Sequence, residues 1–266
     1  MKKLLLAGAA IGSGAVVYQR AIRPWWLTWG VDPHDTGRAL PGDDLVPGPT
    51  SADTRSIEID APPSDVWPWL LQMGYGRAGW YSYDSIDMAG ASSRRVVPEW
   101  QTLKVGDVVP THPGGGFEVR VADAGHALVL YTDTAIVANQ AEAAQEKGIA
   151  VAAPNVEATG TLLAATQPTD FAASWTFVLE ATDQGRTRLI ERFRVRFGES
   201  DKPWTALTLP VIGFGVFLMT RKQMLGIRDR AEVLRRSGRA APSQHENGSS
   251  ATPIDESATP VVAVSL

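Results

Sequence analysis

A long segment near the C-terminus, residues 210–236, dominates the hydrophobic pattern of the chain. Its first ten positions are almost all apolar, and in its second half Met224, Ile227, Ala231 and Leu234 recur at spacings of three and four. This spacing places apolar side chains on one face of an α-helix, and Pro210 suits its first turn. The pattern therefore predicts a helix of roughly 40 Å, long enough to cross a small sheet.

Upstream, apolar and polar positions alternate as they do in strands that cover a core. The alternation begins at Ile57 and Ile59 and returns over residues 117–121, 128–130, 173–179 and 187–197. Between the first two strands a helix is expected, with Ser64 as its N-cap. Residues 114–116 are three glycines without a following Lys-Ser/Thr, which favours a hairpin turn over a phosphate loop. We therefore expect an α+β fold in which a curved antiparallel sheet wraps the C-terminal helix and leaves a cavity.

Several stretches of the chain are similar to one known superfamily. They are Ile57–Leu70, Gly74–Asp84, Pro98–Gln101, Trp175–Glu180, Gly185–Arg192 and Met224–Arg228. In these stretches the chain resembles the START-like (SRPBCC) superfamily of polyketide cyclases, plant allergen-type ligand carriers and coenzyme Q-binding proteins, and in particular a bacterial polyketide cyclase/dehydrase-like branch of unknown function. The resemblance implies a helix-grip (START/Bet v 1-like) fold over residues 52–236. It also makes residues 133–169 an insertion longer than the usual hairpin, with a helix expected over 136–147.

The two ends of the chain differ from this domain. Lys2 and Lys3 precede an apolar run of 15 residues, Leu4–Tyr18, which is shorter than the ~20 residues of a full span. We interpret residues 1–24 as an uncleaved membrane anchor in preference to a removed signal, on an undetermined side of the membrane. The tryptophans at positions 25, 26 and 29 either form an interfacial belt or pack on the domain. Residues 25–51 are expected to be a linker or surface wrap, and residues 237–266 a disordered tail.

The composition of the chain excludes several kinds of binding site and partner. The net charge is −4 and there is no cysteine, which excludes disulfides and thiolate sites. The basic clusters at 186–196 and 221–239 lack the interleaved aromatic or glycine motifs of nucleic-acid modules, so no nucleic-acid partner is expected. Arg192, in the first of them, is expected to point to water. The four histidines stand far apart, so neither a metal nor another cofactor is predicted.

Two carboxylates are candidate catalytic acids, although neither is assigned with an evident partner. Glu191 falls on an apolar strand face, where it is either paired with an arginine or has a raised pKa and is available for proton transfer. Glu99 is either a cavity acid or a helix-cap residue. The predicted ligand contacts are aromatic: Trp80, Tyr81, Tyr83, Trp100, Trp175, Phe177, Phe193 and Phe217.

Two functions of different classes follow. The first is a membrane-tethered START-like domain that binds a hydrophobic small molecule, such as a lipid, a polyketide or a quinone, between sheet and helix. The alternative is a cyclase or dehydrase that uses Glu191 or Glu99 as a general acid or base. The scarcity of candidate acids favours the carrier and leaves the question of an enzyme open. Two or more polar groups converging in the cavity would favour the enzyme. The oligomeric state is not predicted, and bilayer entry of Trp204–Met219 is a further alternative.

Overall fold

A computed structural model describes residues 16–87, 90–149, 170–198 and 205–240. The predicted anchor up to residue 15, residues 150–169 of the predicted insertion, and the tail from residue 241 lie outside the described residues. The same holds for the side chains of residues 205–212.

Six strands of the described chain form one antiparallel sheet in the order β1-β6-β5-β4-β3-β2. Their bounds are β1 Ser51–Ile59, β2 Val108–His112, β3 Gly115–Asp123, β4 Ala127–Asp133, β5 Phe171–Ala181 and β6 Thr187–Phe197. A π-helical turn, Tyr18–Ile22, leads into helix α1 (Arg23–Leu27), and the later helices are α2 (Pro63–Gln72), α3 (Thr134–Glu146) and α4 (Thr205–Ala240). Short 3-10 turns occur at Pro33–Asp35, Asp43–Leu45 and Pro98–Trp100. The predicted α+β class is confirmed.

Helix α4 lies across the concave face of the sheet and packs against α2 and β1. Met224, Ile227 and Ala231 are fully buried, which confirms the predicted apolar face. At 36 residues the helix is longer than predicted, about 54 Å at 1.5 Å per residue. It begins at Thr205, so the expectation that Pro210 occupies the first turn is wrong.

One glycine of α4 sets how closely the helix approaches the loop after α2. A Cβ on Gly226 would lie 2.2 Å from the carbonyl oxygen of Tyr81. Tyr81 itself has a φ of +59°, a left-handed conformation that is unfavourable for a bulky residue. Its hydroxyl donates to the Trp69 carbonyl at 3.0 Å. The tight contact therefore fixes the loop between α2 and the second half of α4.

Two predictions about the ends of strands and helices have different outcomes: the β2–β3 hairpin turn is confirmed, and the predicted N-cap of α2 is wrong. The β2–β3 connection is the tight hairpin predicted from the glycine run. Helix α2, by contrast, begins at Pro63 with Pro62 as its N-cap, so Ser64 is not the cap. The extended backbone of Pro62 and the proline at the first helical position together start the helix earlier than the serine does.

The segment before β1 lies against the convex face of the sheet. Leu40 packs there with Val178 and Ile190, and Arg192 donates to Asp43 at 2.7 Å. Arg192 is only 4% exposed, so the expectation that it points to water is wrong. The segment that covers this face supplies the counter-ion that makes its burial tolerable.

The tryptophans after the apolar run are placed differently from one another. Trp26 is 3% exposed and Trp25 55% exposed, and the Trp26 ring lies 6.2 Å from Phe217 of α4. Phe217 is buried, whereas its α4 neighbours Phe214 and Leu218 are exposed. Among the helices that the structure describes, none combines the length and apolarity needed to cross a membrane.

Candidate ligand cavity

The concave face of the sheet is solidly packed at one end. Side chains of α2, of the second half of α4 and of the adjoining strand ends form a continuous core there. Its largest members include Trp69, Leu70, Met73, Leu128 and Leu179. Among the residues that the structure describes, no comparable buried cluster fills the other end, where the strands run beyond α2. The hollow of the domain therefore lies under α1 and the first half of α4.

This open end holds a cavity of about 680 Å³. Its apolar wall consists of inward-facing residues of the paired strands β5 and β6 and of β3, which lies on the far side of β4. These residues are Phe117 of β3, Phe171 and Ala173 of β5, and Phe193, Val195 and Phe197 of β6. Alternation along β5 and β6 brings these side chains to one face, because their cross-strand partners, such as Trp175 and Phe193, point the same way.

Two helices close the cavity on the side opposite the sheet. Arg23 and Trp26 of α1 and Gly213 and Val216 of α4 line it. A Cβ on Gly213 would lie 2.9 Å from the outer edge of the Trp26 ring, so the glycine is what allows the indole to sit against α4. The cavity roof is therefore built from two parts of the chain that are distant in sequence.

A buried charge cluster lies between the cavity and the packed core. Arg55 is fully buried and donates to Glu191 at 2.9 Å and to Asp53 at 2.9 Å. Trp175 donates its indole N–H to the other oxygen of Glu191 at 2.8 Å. Arg55 and Glu191 are directly opposite in the β1–β6 register, so the pairing follows from strand alternation.

The environment shifts the pKa of each member of the cluster. Burial raises the pKa of Glu191, and the opposing charge of Arg55 only partly offsets it. Burial likewise raises the pKa of Asp53 against the same arginine. Burial acts to lower the pKa of Arg55, but the two carboxylates outweigh it and the net shift is upward. Arg55 therefore stays charged and serves as the shared counter-ion of two acids.

Asp53 is the member of the cluster that reaches the cavity, since it alone of the three lines it. Both of its oxygens are engaged: one accepts from Arg55, and the other accepts from the Ser51 hydroxyl at 3.2 Å. Glu191 is 0% exposed and also has both oxygens bonded. Of the two alternatives for Glu191, the structure shows the arginine-paired one.

Other polar groups line the cavity with unused hydrogen-bonding capacity. The indole N–H of Trp26 and the hydroxyl of Thr132 are buried and have no hydrogen-bond partner among the described residues, and both residues line the cavity. His112 also lines it, with its Nδ1 2.9 Å from the Pro113 carbonyl oxygen. Because a carbonyl can only accept, Nδ1 is the donor in this contact.

The eight aromatic residues predicted to contact ligand are spread more widely than expected. Phe193 lines the cavity. Trp175 packs beneath it, with ring centroids 6.2 Å from Phe193, and stacks on Trp80 at 5.6 Å. Tyr81 and Phe177 are buried in the packed interior, and Trp100 packs against it. Phe217 is buried outside that cluster, against Trp26 and Trp29. Tyr83 is 41% exposed. Glu99 is exposed in its 3-10 turn, so it is not a cavity acid.

Sequence reasoning missed the polar residues of the cavity. Asp53 falls inside the predicted domain but was not singled out, although it shares the alternation of Arg55 and Ile57. A charged pair at alternate positions on an otherwise apolar strand face could have indicated a buried cluster. Trp26 and Arg23 gave no such signal, since their role depends on α1 folding back under α4.

The six-stranded antiparallel sheet and the long C-terminal helix packed against it confirm the predicted helix-grip fold. No protein-family model matches the sequence, and no curated protein matches it either.

The chain is similar to several solved structures. Protein MLL2253 from Mesorhizobium loti is 15% identical with a TM-score of 0.32, covering 70% of this chain and 98% of that one. Ara h 8.0201 is 12% identical with a TM-score of 0.27, covering 68% and 97%. The Polyketide_cyc-like protein Cgl2372 from Corynebacterium glutamicum is 14% identical with a TM-score of 0.25, covering 74% and 97%.

Proposed function

We propose that the domain binds a hydrophobic small molecule in the cavity between the sheet and helices α1 and α4. The observation that carries this proposal is a hollow of about 680 Å³ walled by four phenylalanines and several aliphatic residues. Ligand sites typically have volumes of 300–1,000 Å³ with mostly apolar walls and a few placed polar groups.

The energetics of such a wall favour an apolar guest. Burial of apolar surface contributes roughly 25 cal/mol per Å², so a guest that buries about 300 Å² gains roughly 7 kcal/mol. Loss of translational and rotational freedom opposes this gain. A micromolar Kd corresponds to a net gain of about 8 kcal/mol, so apolar burial of this size gives weaker than micromolar affinity by itself, and tighter binding requires more buried area or polar contacts.

A cavity-filling substitution tests the proposal. Ala173 lines the cavity, and Ala181, on the same strand, is exposed. We expect Ala173→Phe to abolish binding of the neutral fluorophore N-phenyl-1-naphthylamine, whereas Ala181→Phe should leave it unchanged. Circular dichroism and thermal melting establish that both variants fold. Equal binding by wild type and Ala173→Phe would place the fluorophore elsewhere and reject the cavity as the site. Native mass spectrometry of the purified protein would reveal any co-purifying guest.

A membrane tether is the second part of the proposal. It is supported by the apolar run that begins at Leu4 and by exposed apolar side chains on the segment that follows it, Val16, Val17, Ile22 and Trp25. Deletion of residues 1–15 should move the protein from the carbonate-washed membrane pellet to the supernatant. Persistence of the truncated protein in the pellet would assign membrane association to another part of the chain.

The enzymatic alternative gains no specific support from the two predicted acids. Glu99 lies on the surface, and Glu191 is held by Arg55 and Trp175. Ser51 and Asp53 both line the cavity within hydrogen-bond reach of each other, which is the convergence of polar groups expected of an enzyme, but Arg55 and Ser51 occupy both oxygens of Asp53. Binding is accordingly the function that this geometry supports best.

A further inference from the structure

We propose that the guest is an amphiphile with an anionic, hydrogen-bond-accepting end, held beneath α1 by Arg23 and Trp26, with its apolar body along β5 and β6. This inference rests on the proposed function and specifies the chemical class of the ligand. A fatty carboxylate is its simplest representative.

The first step is the pair of free donors on α1. Arg23 and Trp26 are three residues apart, so their side chains share one face of the helix, and both line the cavity. The indole N–H of Trp26 is buried and finds no partner in the part of the chain that the structure describes. An indole can only donate, so the group that satisfies it must be an acceptor. A buried donor left unsatisfied is costly, which makes an acceptor on the guest favourable.

The second step concerns the charge of Arg23. Its guanidinium makes no ion pair within 4.0 Å and no hydrogen bond with any residue that the structure describes. Asp53 is the carboxylate that acts on it through space, since Arg23 contributes to lowering the Asp53 pKa. The oxygens of Asp53 are taken by Arg55 and Ser51, however. Burial also raises the pKa of both Asp53 and Glu191, and this limits the negative charge that the buried cluster can carry.

The third step is the separation of polar and apolar walls. The strands β5 and β6 contribute only apolar residues to the cavity: Phe171, Ala173, Phe193, Val195 and Phe197. Polar residues lie on the helix side, at Gln19, Arg23 and Trp26, and on the flanking strands β1, β2 and β4, at Ser51, Asp53, His112 and Thr132. Arg23 is the one of these polar residues that brings a positive charge without a bonded partner among the described residues. A guest with a uniform apolar surface would leave the helix side unsatisfied. An amphiphile matches both walls, and a carboxylate gives Arg23 the charge-assisted hydrogen bonds that a guanidinium makes best.

Three probes that share one chain length separate charge from hydrogen bonding. Dodecanoate, methyl dodecanoate and dodecane are titrated at pH 7.5 against the bound N-phenyl-1-naphthylamine of the full-length protein. We expect wild type to bind dodecanoate about 10- to 100-fold more tightly than the ester, the range expected for a hydrogen bond to a charged group. The Arg23→Gln variant should lose most of this preference and keep its affinity for the ester.

Two further variants complete the test. Arg20 is exposed and does not line the cavity, so Arg20→Gln removes the same charge from the same segment and should keep the preference. Trp26→Phe keeps an aromatic ring without the N–H, and should weaken the acid and the ester relative to dodecane. Equal affinity of wild type for acid and ester would overturn this inference while leaving the cavity function intact. An equal loss of dodecanoate binding in Arg23→Gln and Arg20→Gln would also overturn it, because the affinity would then depend on the overall charge of the segment and not on a contact with Arg23. Failure of wild type to bind the neutral fluorophore would overturn the cavity function, and this inference with it.

Discussion

Replacing Arg55 with methionine should destabilise the protein strongly, and the loss should grow with pH. Arg55 forms an ion pair with both Asp53 and Glu191, at 2.9 Å from each, and no other described cation pairs with either acid. Removing one partner of a buried ion pair typically costs about 3–5 kcal/mol, because an uncompensated charge remains. Methionine keeps much of the side-chain volume, so the expected loss at pH 8 reflects the stranded carboxylates rather than a cavity.

The pH dependence follows from the sign of the pKa shifts. Burial already raises the pKa of Glu191 and Asp53 with Arg55 present, and removing the arginine raises both further. A folded state that binds protons more tightly than the unfolded chain loses stability as pH rises through the window between the two pKa values. If one carboxyl of the folded variant stays protonated from pH 5 to pH 8 while the same carboxyl of the unfolded chain is ionised, the folding stability falls by about 1.4 kcal/mol per pH unit, or about 4 kcal/mol in all. Wild type should show the same trend more weakly.

Urea unfolding at pH 5 and pH 8 measures this effect. Arg236→Met is the control, since Arg236 is exposed and its pair with Glu232 spans 3.9 Å; a surface pair of this kind is worth at most about 1 kcal/mol. The double variant Arg55→Met/Glu191→Gln should be more stable at pH 8 than Arg55→Met alone, because it removes a stranded charge. Additive losses in the double variant, or an Arg55→Met deficit that is the same at both pH values, would refute the reasoning.

Three further outcomes are expected. Gly226→Ala should cost about 1–3 kcal/mol in thermal unfolding, because its Cβ would meet the Tyr81 carbonyl at 2.2 Å; Gly238→Ala, which meets nothing within 4 Å, should be neutral or stabilise by up to about 1 kcal/mol. Asp43→Ala should strand the buried guanidinium of Arg192, cost about 3 kcal/mol in urea unfolding, and speed proteolysis of the segment before β1. No change in cleavage rate would show that this contact does not hold the segment.

The helices and strands of the fold could be predicted because the spacing of apolar residues differs between a helix and a strand and can be read directly from the sequence. The spacing of Met224, Ile227 and Ala231 predicts one buried helix face, and the alternation that begins at Ile57 predicts a strand. Alternation also placed Glu191 on the inner face correctly. The pairing of Glu191 with Arg55 was not predictable in the same way, because it depends on which strands are neighbours in the sheet. The strands β1 and β6 are neighbours in the sheet but are separated along the chain by most of the domain.

The cavity itself was less accessible to sequence reasoning than the elements around it. Aromatic residues were expected to line it, but a large side chain such as Trp80 or Phe177 fills space wherever another element covers it. Helix α2 covers one end of the sheet, and the rings of Trp80 and Phe177 are therefore buried in the core there. The hollow lies beyond α2, where small residues such as Ala173 and Gly213 face inward. A hollow is a property of what is absent between elements, and alternation patterns do not encode it.

The position of the charge cluster links the stability of the domain to its proposed function. Arg55 holds Glu191 on the core side and Asp53 on the cavity side, and its Nε also lies 3.4 Å from the Trp26 carbonyl of α1. The same guanidinium therefore joins β1, β6 and the helix that closes the cavity. Apolar packing alone could fill this level of the sheet at lower desolvation cost. A buried arginine with three directed contacts does what apolar packing cannot, because it fixes where α1 sits and so where Arg23 and Trp26 face the guest.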